Sequence, residues 1–250
     1  MLQTRALWKL VVVQSKLYLR EPVSVFFTLL FAPMLLILMG FVLGNAPAPE
    51  FGGRGALDVN VPGYAAIVIG MVGLIAIPIG ITTLRELGAL RRFRATPLRP
   101  ITYMIGDVLV YLVMIALGIL LLVLVGRVIY RVPFQGNVLA WAAGALLSAG
   151  AFLALGYVLA SLVPNGRAAT VVGNVLLYLM VFFSGATVPL AIMPESVRRV
   201  SDAIPLTHVV TLLRGLWFGE PVGQHLVEVV VLGGMLVVGT LVAALTFRWE

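Results

Sequence analysis

The chain has 250 residues, of which 61% are hydrophobic and 11% are charged, and its formal net charge is +7. A soluble globular domain carries about a quarter charged residues, so this composition excludes a water-soluble globule and predicts an integral membrane protein. The chain has no cysteine, which excludes disulfides and thiolate metal sites. No nucleic acid partner is expected, because arginines in loops also set the orientation of a membrane protein and contact anionic lipid.

Residues 1–22 form the first predicted unit, an N-terminal amphipathic helix. Four cations fall on one face at the helical period: Arg5, Lys9, Lys16 and Arg20. We expect this helix to lie in the headgroup plane and to end before Pro22. A secretory signal peptide is the alternative, but the apolar run that follows is too long for one.

Six apolar stretches follow in residues 23–250, each long enough to cross ~30 Å of hydrocarbon at ~1.5 Å per residue. The predicted spans, numbered 1 to 6, are 23–43, 61–84, 101–125, 138–163, 168–191 and 226–247. The predicted fold class is therefore an all-α polytopic membrane protein with six transmembrane helices. Small residues four apart in span 4, at Ala140, Gly144 and Ser148, predict close packing within the chain or with a second copy.

The positive charges predict the orientation of the spans. Segments 1–22, 85–100, 164–167 and 248–250 hold eleven of the 17 Lys and Arg residues. The longer segments on the other side, at 44–60, 126–137 and 192–225, hold the remaining six. By the positive-inside rule the first set is cytoplasmic, as are both chain termini.

Segment 192–225, between spans 5 and 6, is too apolar for an ordinary loop and too rich in proline for a span. We expect two short helices on the outer side, at about 195–203 and 206–218. The second has only about 13 residues, a length that fits a re-entrant or interfacial helix.

No pattern typical of a catalytic or nucleotide site occurs. His208 and His225 lie in no metal or hydrolase motif, so we expect them to be interfacial side chains. Asp107 and Glu228 lie near span ends, where they can reach the headgroups or pair with a neighbour. The sequence has no P-loop, so any ATP must be hydrolysed by another chain.

The largest predicted cytoplasmic loop between spans, 85–100, belongs to the stretch TLRELGALRRFRATPLRP, residues 83–100. Read as a helix over 84–94, it has an apolar edge surrounded by arginines: Leu84, Leu87, Leu90 and Phe93. This edge predicts either an anchor on anionic lipid or a docking surface for a cytosolic protein. In the second case Glu86 is a fixed acid, and Gly88 permits close backbone approach.

The loop resembles the one between spans 2 and 3 of ABC-2 type permeases, the membrane subunits of ABC exporters. The resemblance rests on Glu86-Leu87-Gly88, Leu90-Arg91-Arg92 and Ala95-Thr96-Pro97-Leu98. The N-terminal helix, the six spans and a pattern before span 6 are also similar to that family. The residues of that pattern are Gly185, Pro189, Pro194, Pro205 and Arg214.

The resemblance implies that the loop is a coupling helix that contacts an ATPase through Glu86, Leu87, Gly88, Leu90, Arg91, Arg92 and Phe93. It implies that Arg5, Lys9, Lys16 and Arg20 hold the N-terminal helix on lipid. It also implies that Gly185, Pro189, Pro194, Pro205 and Arg214 belong to re-entrant helices near the exit of the transport pathway.

The implied assembly has two permease chains, expected to be a homodimer, and two copies of a cytosolic ABC ATPase. ATP and Mg bind to that partner, whereas this chain is not an enzyme and holds no cofactor or metal. The implied location is the cytoplasmic membrane of a bacterium or archaeon.

The substrate is expected to be a hydrophobic, drug-like small molecule or a lipid. Aromatic side chains are scattered over five spans instead of forming rows that suit a sugar, and the region around 192–225 resembles the drug-exporter branch. The alternatives are export of a lipid-linked polysaccharide, an ATP-independent scaffold, and an ion-coupled carrier.

Overall fold

The computed structural model describes residues 2–20, 22–88, 100–188, 190 and 193–246. The side chains of 2–9, 23, 24, 50 and 100–103 are not part of this description. Predicted site residues outside it are Leu90, Arg91, Arg92, Phe93 and Pro189, together with the side chains of Arg5 and Lys9.

Six helices among the described residues are long and apolar enough to cross a membrane. They are span 1, Phe26–Leu43; span 2, Ala56–Glu86; span 3, Met104–Ile129; span 4, Val138–Leu162; span 5, Gly166–Phe183; and span 6, Val222–Thr246. A helix satisfies its own backbone hydrogen bonds, which is what lipid demands of a spanning segment. The predicted all-α polytopic membrane fold is confirmed.

Among the described residues, three helices of seven or more residues lie outside the spans: α1, Leu2–Leu19; α2, Glu195–Ser201; and α3, Pro205–Trp217. Span 1 follows a helical turn, Pro22–Val25, and consists of a π-helical Phe26–Leu30 and an α-helical Phe31–Leu43. Span 2 consists of Ala56–Met71, a π-helical Val72–Ala76 and Ile77–Glu86. The helix of span 3 begins earlier, as Pro100–Ile129, and span 6 is a 3₁₀ turn, Val222–His225, followed by Leu226–Thr246. Strands β1, Pro47–Ala48, and β2, Arg54–Gly55, pair antiparallel across a 3₁₀ turn, Pro49–Phe51.

Span 2 lies at the centre of the fold. In its most apolar stretch 78% of the residues are buried, compared with 17% in span 5 and 11% in span 6. Spans 1, 3, 4 and 5 and helix α3 all pack against it. Span 2 therefore contacts four of the other five spans as well as α3.

Two glycines bring spans 4 and 5 against the backbone of span 2. A Cβ added at Gly156 would clash with the carbonyl oxygen of Gly73, and one at Gly173 would clash with that of Leu74. Gly73 and Leu74 both lie in the π-helical part of span 2. Helix association in lipid depends on such close packing, which only small residues permit.

The row of small residues predicted in span 4 packs within the chain. A Cβ at Gly144 would lie 2.9 Å from Cδ1 of Leu216 in α3, and Ser148 is fully buried. Of the two packing partners that the sequence left open, the structure gives α3 of the same chain as the partner of Gly144.

Span 5 ends earlier than predicted. Its helix ends at Phe183 instead of extending to residue 191, because Gly185 adopts φ +75°. Glycine takes this left-handed conformation without the steric cost that other residues meet, and it commonly ends helices.

The helix predicted over 84–94 is wrong in its first half. Span 2 continues to Glu86, so Leu84 belongs to its last turn, and Gly88 at φ +64° ends the helix. The predicted helices at 195–203 and 206–218 correspond closely to α2 and α3. Pro205, rather than Leu206, begins α3, because proline fits the first turn of a helix.

The connections between spans gather at two ends of the bundle. The guanidinium of Arg54 lies 3.5 Å from the centre of the Phe218 ring, and Nε1 of Trp217 donates to the carbonyl of Pro133 at 3.0 Å. These contacts bring together the segment between spans 1 and 2, the segment between spans 3 and 4 and the segment between spans 5 and 6. We call this end of the bundle the Trp217 end. Arg85 donates to the carbonyl of Ala160, which joins the ends of spans 2 and 4 at what we call the Arg85 end.

Candidate functional site

The last turn of span 2 presents the start of the cationic segment. Thr82 donates its hydroxyl to the carbonyl of Pro78 at 2.6 Å, and the amide of Gly88 donates to the carbonyl of Arg85 at 3.0 Å. The side chain of Leu87 is 69% exposed. Span 2 therefore delivers an exposed leucine and a helix-ending glycine to the Arg85 end, directly before residues 89–99.

Arg85 caps the C-terminal end of span 4. Its guanidinium donates to the carbonyl oxygens of Ala160 at 3.1 Å and Val163 at 3.4 Å. In a continuing helix the amide four residues on would bond to Ala160, but that residue is Pro164, which has no N–H. The arginine supplies the missing donor and places a positive charge at the negative end of the helix dipole.

Glu86 caps the N-terminal end of span 5. Its Oε1 accepts a hydrogen bond from the amide of Gly166 at 2.9 Å, and Asn165 accepts one from Ala168 at 2.8 Å. The first amides of a helix have no partner within it, and the positive end of the dipole favours an acid. The carboxylate that the resemblance assigns to ATPase contact therefore makes a hydrogen bond within this chain.

Helix α1 lies along span 3 and exposes the two cations that are described. Tyr18 is buried and forms a 2.5 Å hydrogen bond with Thr28 in span 1. Lys16 in the helix and Arg20 directly after it are both exposed. The predicted helix is present, and these two members of its cationic row can reach lipid or another protein.

Of the residues predicted in the segment before span 6, the structure brings Gly185 and Arg214 together. This guanidinium donates to the carbonyl of Gly185 at 2.8 Å and to that of Val59 in span 2 at 3.3 Å. Burial lowers the pKa of Arg214 to about 10, which leaves it protonated at neutral pH. Of the other predicted residues, Pro194 directly precedes α2 and Pro205 begins α3.

An aromatic cluster that the sequence analysis did not predict fixes α3 at the Trp217 end. The rings of Phe134 and Trp217 meet edge to face with their centres 4.8 Å apart, and Trp141 lies 5.5 Å from Trp217. Trp141 donates to the carbonyl of Leu213 at 3.1 Å. Position near a span end was a usable signal, since tryptophan favours sites that are apolar at one side and polar at the other.

The ionisable residues near the spans pair within the chain. Tyr157 donates to Asp107 at 2.7 Å. His225, predicted as an interfacial side chain, is 5% exposed and bonds Glu220 at 2.9 Å, and it lies 3.9 Å from Glu228. Across the part of the chain that the structure describes, no group of three or more acidic, histidine or cysteine side chains could hold a metal ion.

Comparison with known proteins gives a family match that spans most of the chain. The family described as "ABC-2 type transporter" matches residues 5–218, which include α1, the Arg85 end and α3. No curated protein matches the chain. The six apolar helices and this match indicate a multi-pass membrane protein. Because the match covers far more than half of its length, the chain belongs to the ABC-2 type transporter family, whose membrane domain is the permease subunit of an ABC transporter.

Proposed function

We propose that this chain is the permease of an ATP-driven exporter that moves a hydrophobic, drug-like small molecule or a lipid out of the cytoplasm or the inner leaflet. The single observation that carries the proposal is the exposed start of the cationic segment at Leu87, in a chain of the ABC-2 family. Membership of this family implies association with an ABC ATPase subunit.

The proposed ATPase contact begins at Leu87 and Gly88 and continues through Leu90, Arg91, Arg92 and Phe93. Leu87 is an apolar side chain without cover at the end of a span, and five arginines lie in 85–100. An apolar edge among cations suits a cleft on a cytosolic protein, with charge guiding the approach. The partner would bind ATP and Mg, in two copies for two permease chains.

The proposed orientation places the Arg85 end in the cytoplasm, because the positive charges concentrate at the connections of that end. Helix α1 would then lie at the cytoplasmic surface of a bacterial or archaeal cytoplasmic membrane, with Lys16 and Arg20 toward anionic headgroups. Helices α2 and α3 would lie on the outer side, as re-entrant helices near the exit.

The exposed side of span 5 supports a second copy and a hydrophobic substrate. Its outward side chains include Val171, Val175, Leu179 and Phe182, each more than half exposed. Tyr178 is also exposed on this span, but the four apolar side chains offer no hydrogen-bond partner to a sugar chain and suit lipid tails or an apolar molecule better. A homodimer would cover part of the same face.

Capture of the ATPase tests the docking proposal. The purified chain is mixed with the ABC ATPase of the same source, and bound ATPase and ATP turnover are measured for the wild type and for Leu87→Asp with Leu90→Asp. The matched control is Val200→Asp with Val222→Asp, which adds the same two charges at exposed valines of the Trp217 end. We expect the Leu87/Leu90 variant to lose at least tenfold in capture and the control to retain it.

Transport in proteoliposomes tests the substrate class. The complex is assayed for ATP-dependent movement of a hydrophobic dye and of a fluorescent lipid. Movement of either with ATP supports the proposal, and movement without any ATPase would instead favour a carrier. Display of polysaccharide in cells without dye or lipid export would favour the polysaccharide exporter. If no ATPase is captured by the wild type, the exporter proposal fails and a scaffold that uses the same segment becomes the better interpretation.

A further inference from the structure

Two adjacent side chains at the end of span 2 reach the same short turn. Arg85 donates to the last carbonyls of span 4, and Glu86 accepts from the first amide of span 5. Spans 4 and 5 are joined by Val163-Pro164-Asn165-Gly166, so the pair holds this turn from both sides. We call these residues, with Arg85 and Glu86, the 4–5 clamp.

The charges of the pair match the two helix ends that they contact. The cation lies at the C-terminal carbonyls of span 4, and the anion lies at the N-terminal amide of span 5. Reversal of the two residues would place each charge at the repulsive end of a dipole. The order Arg-Glu therefore suits the two helix ends, although Glu86 itself is exposed to solvent.

A second contact fixes the same three spans deeper in the bundle. Gly156 of span 4 and Gly173 of span 5 lie against the carbonyl oxygens of Gly73 and Leu74. That level is twelve residues from Arg85, or about 18 Å along a helix axis. Spans 2, 4 and 5 therefore contact one another at two separate levels, one at the glycines and one at the Arg85 end.

From this geometry we propose that the 4–5 clamp passes displacement of segment 85–88, the described start of the cationic segment, to spans 4 and 5. Arg85 and Glu86 are positioning residues in this inference. They act within the permease, and the exposed Leu87 beyond them remains the proposed contact with the ATPase. Displacement of the segment by an ATPase rests on the proposed function, whereas the contacts by which the clamp holds the turn do not depend on it.

The absence of cysteine from the chain allows a direct test of the clamp. A Cβ at Gly166 would lie 3.4 Å from Oγ1 of Thr83, which is compatible with the short Cβ to sulfur separations within a disulfide. The Thr83→Cys/Gly166→Cys chain is oxidised in native membranes, and the yield of the intramolecular disulfide is measured. Thr83→Cys/Gln224→Cys, with its second cysteine at the Trp217 end, is the control. We expect high yield in the first chain and none in the control.

The functional test separates the clamp from ATPase docking. Arg85→Met/Glu86→Ala is compared with Arg167→Met, which removes an exposed arginine at the same end. For the clamp variant we expect ATPase capture and ATP turnover within about twofold of wild type, and transport at least tenfold lower. Adding the Thr83→Cys/Gly166→Cys disulfide to this variant should restore transport, and a reductant should remove it again.

Each other result overturns the inference. Loss of ATPase capture in the clamp variant would make Arg85 and Glu86 docking residues, and wild-type transport would show that the pair transmits nothing. Lost transport that the disulfide does not restore would indicate a general folding defect. Failure of the cysteine pair to cross-link would show that span 2 does not hold the turn. If the wild type captures no ATPase, the proposed function and the transmission both fail, and the disulfide yield still decides whether the clamp exists.

Discussion

The hydroxyl of Tyr157 in span 4 donates a hydrogen bond of 2.7 Å to the carboxylate of Asp107 in span 3, and both side chains are buried. We predict that Tyr157→Phe lowers the stability of the purified protein by about 1–3 kcal/mol, because a buried acceptor loses a donor. Asp107→Asn keeps an oxygen acceptor and should cost less. The midpoint of thermal unfolding in detergent measures both, with Tyr178→Phe at an exposed tyrosine as the control. Equal midpoints for the two phenylalanine variants would contradict the prediction.

The glycines that pack on span 2 should not tolerate a methyl group. Gly156→Ala and Gly173→Ala each place a Cβ against a backbone carbonyl, which cannot move as a side chain can. We expect a loss of stability of at least about 1–3 kcal/mol, typical of overpacking, or no folded protein at all. Gly233→Ala and Gly234→Ala are matched controls, since a Cβ there meets no atom within 4 Å. Yield and monodispersity after purification distinguish the two pairs, and equal behaviour would exclude the close contact.

Arg214 should matter far more than the arginines of α2. In Arg214→Met the carbonyls of Gly185 and Val59 lose a donor, and each unsatisfied buried group costs about 1–3 kcal/mol. Arg199→Met removes only an exposed pair with Glu195, and such pairs contribute about 0–1 kcal/mol. Thermal unfolding of the two variants decides the matter. A similar small effect in both would mean that water replaces the guanidinium of Arg214.

The indole N–H of Trp217 should contribute separately from its ring. Trp217→Phe keeps an aromatic ring against Phe134 but removes the hydrogen bond to the carbonyl of Pro133, at a cost of about 1 kcal/mol. Trp217→Ala should cost about 3–5 kcal/mol, because it also leaves a cavity in the cluster. Unfolding midpoints of the two variants give the comparison. If the Phe and Ala variants were equally stable, the ring would not be packed as the structure shows.

The spans were predictable because each is a long uncharged run, and only a helix suits such a run in lipid. Their ends were harder to predict. Residues 184–191 contain no charge, so composition does not mark the end of span 5, and a single glycine at 185 does not by itself show where the helix stops. The helix expected over 84–94 shows the same difficulty, since its first residues are the end of span 2.

Prediction from the sequence was more successful for the segments that form the candidate site than for the contacts of individual side chains. Glu86 was identified from a loop pattern, but its partner Gly166 is 80 positions away, and no periodicity links two such positions. The same limit applies to Arg214 and Val59. Position near a span end could have singled out Trp141 and Trp217, but the sequence does not show that the two rings meet each other and Phe134.

Span 5 has 18 residues, or about 27 Å of helix, whereas the hydrocarbon core of a typical bilayer is about 30 Å thick. The chain after it turns at Ala186, whose carbonyl lies against Gly63, about 10 Å along span 2 from its start at Ala56. The irregular backbone around Ala186 therefore lies deeper in the bundle than the start of span 2, and Arg214 donates a hydrogen bond to the carbonyl of Gly185 there. The fit of span 5 to the membrane therefore depends on the acyl-chain length of the lipid. A thicker bilayer must become thinner around span 5, at a cost in free energy, whereas a thinner bilayer matches the short span without that cost.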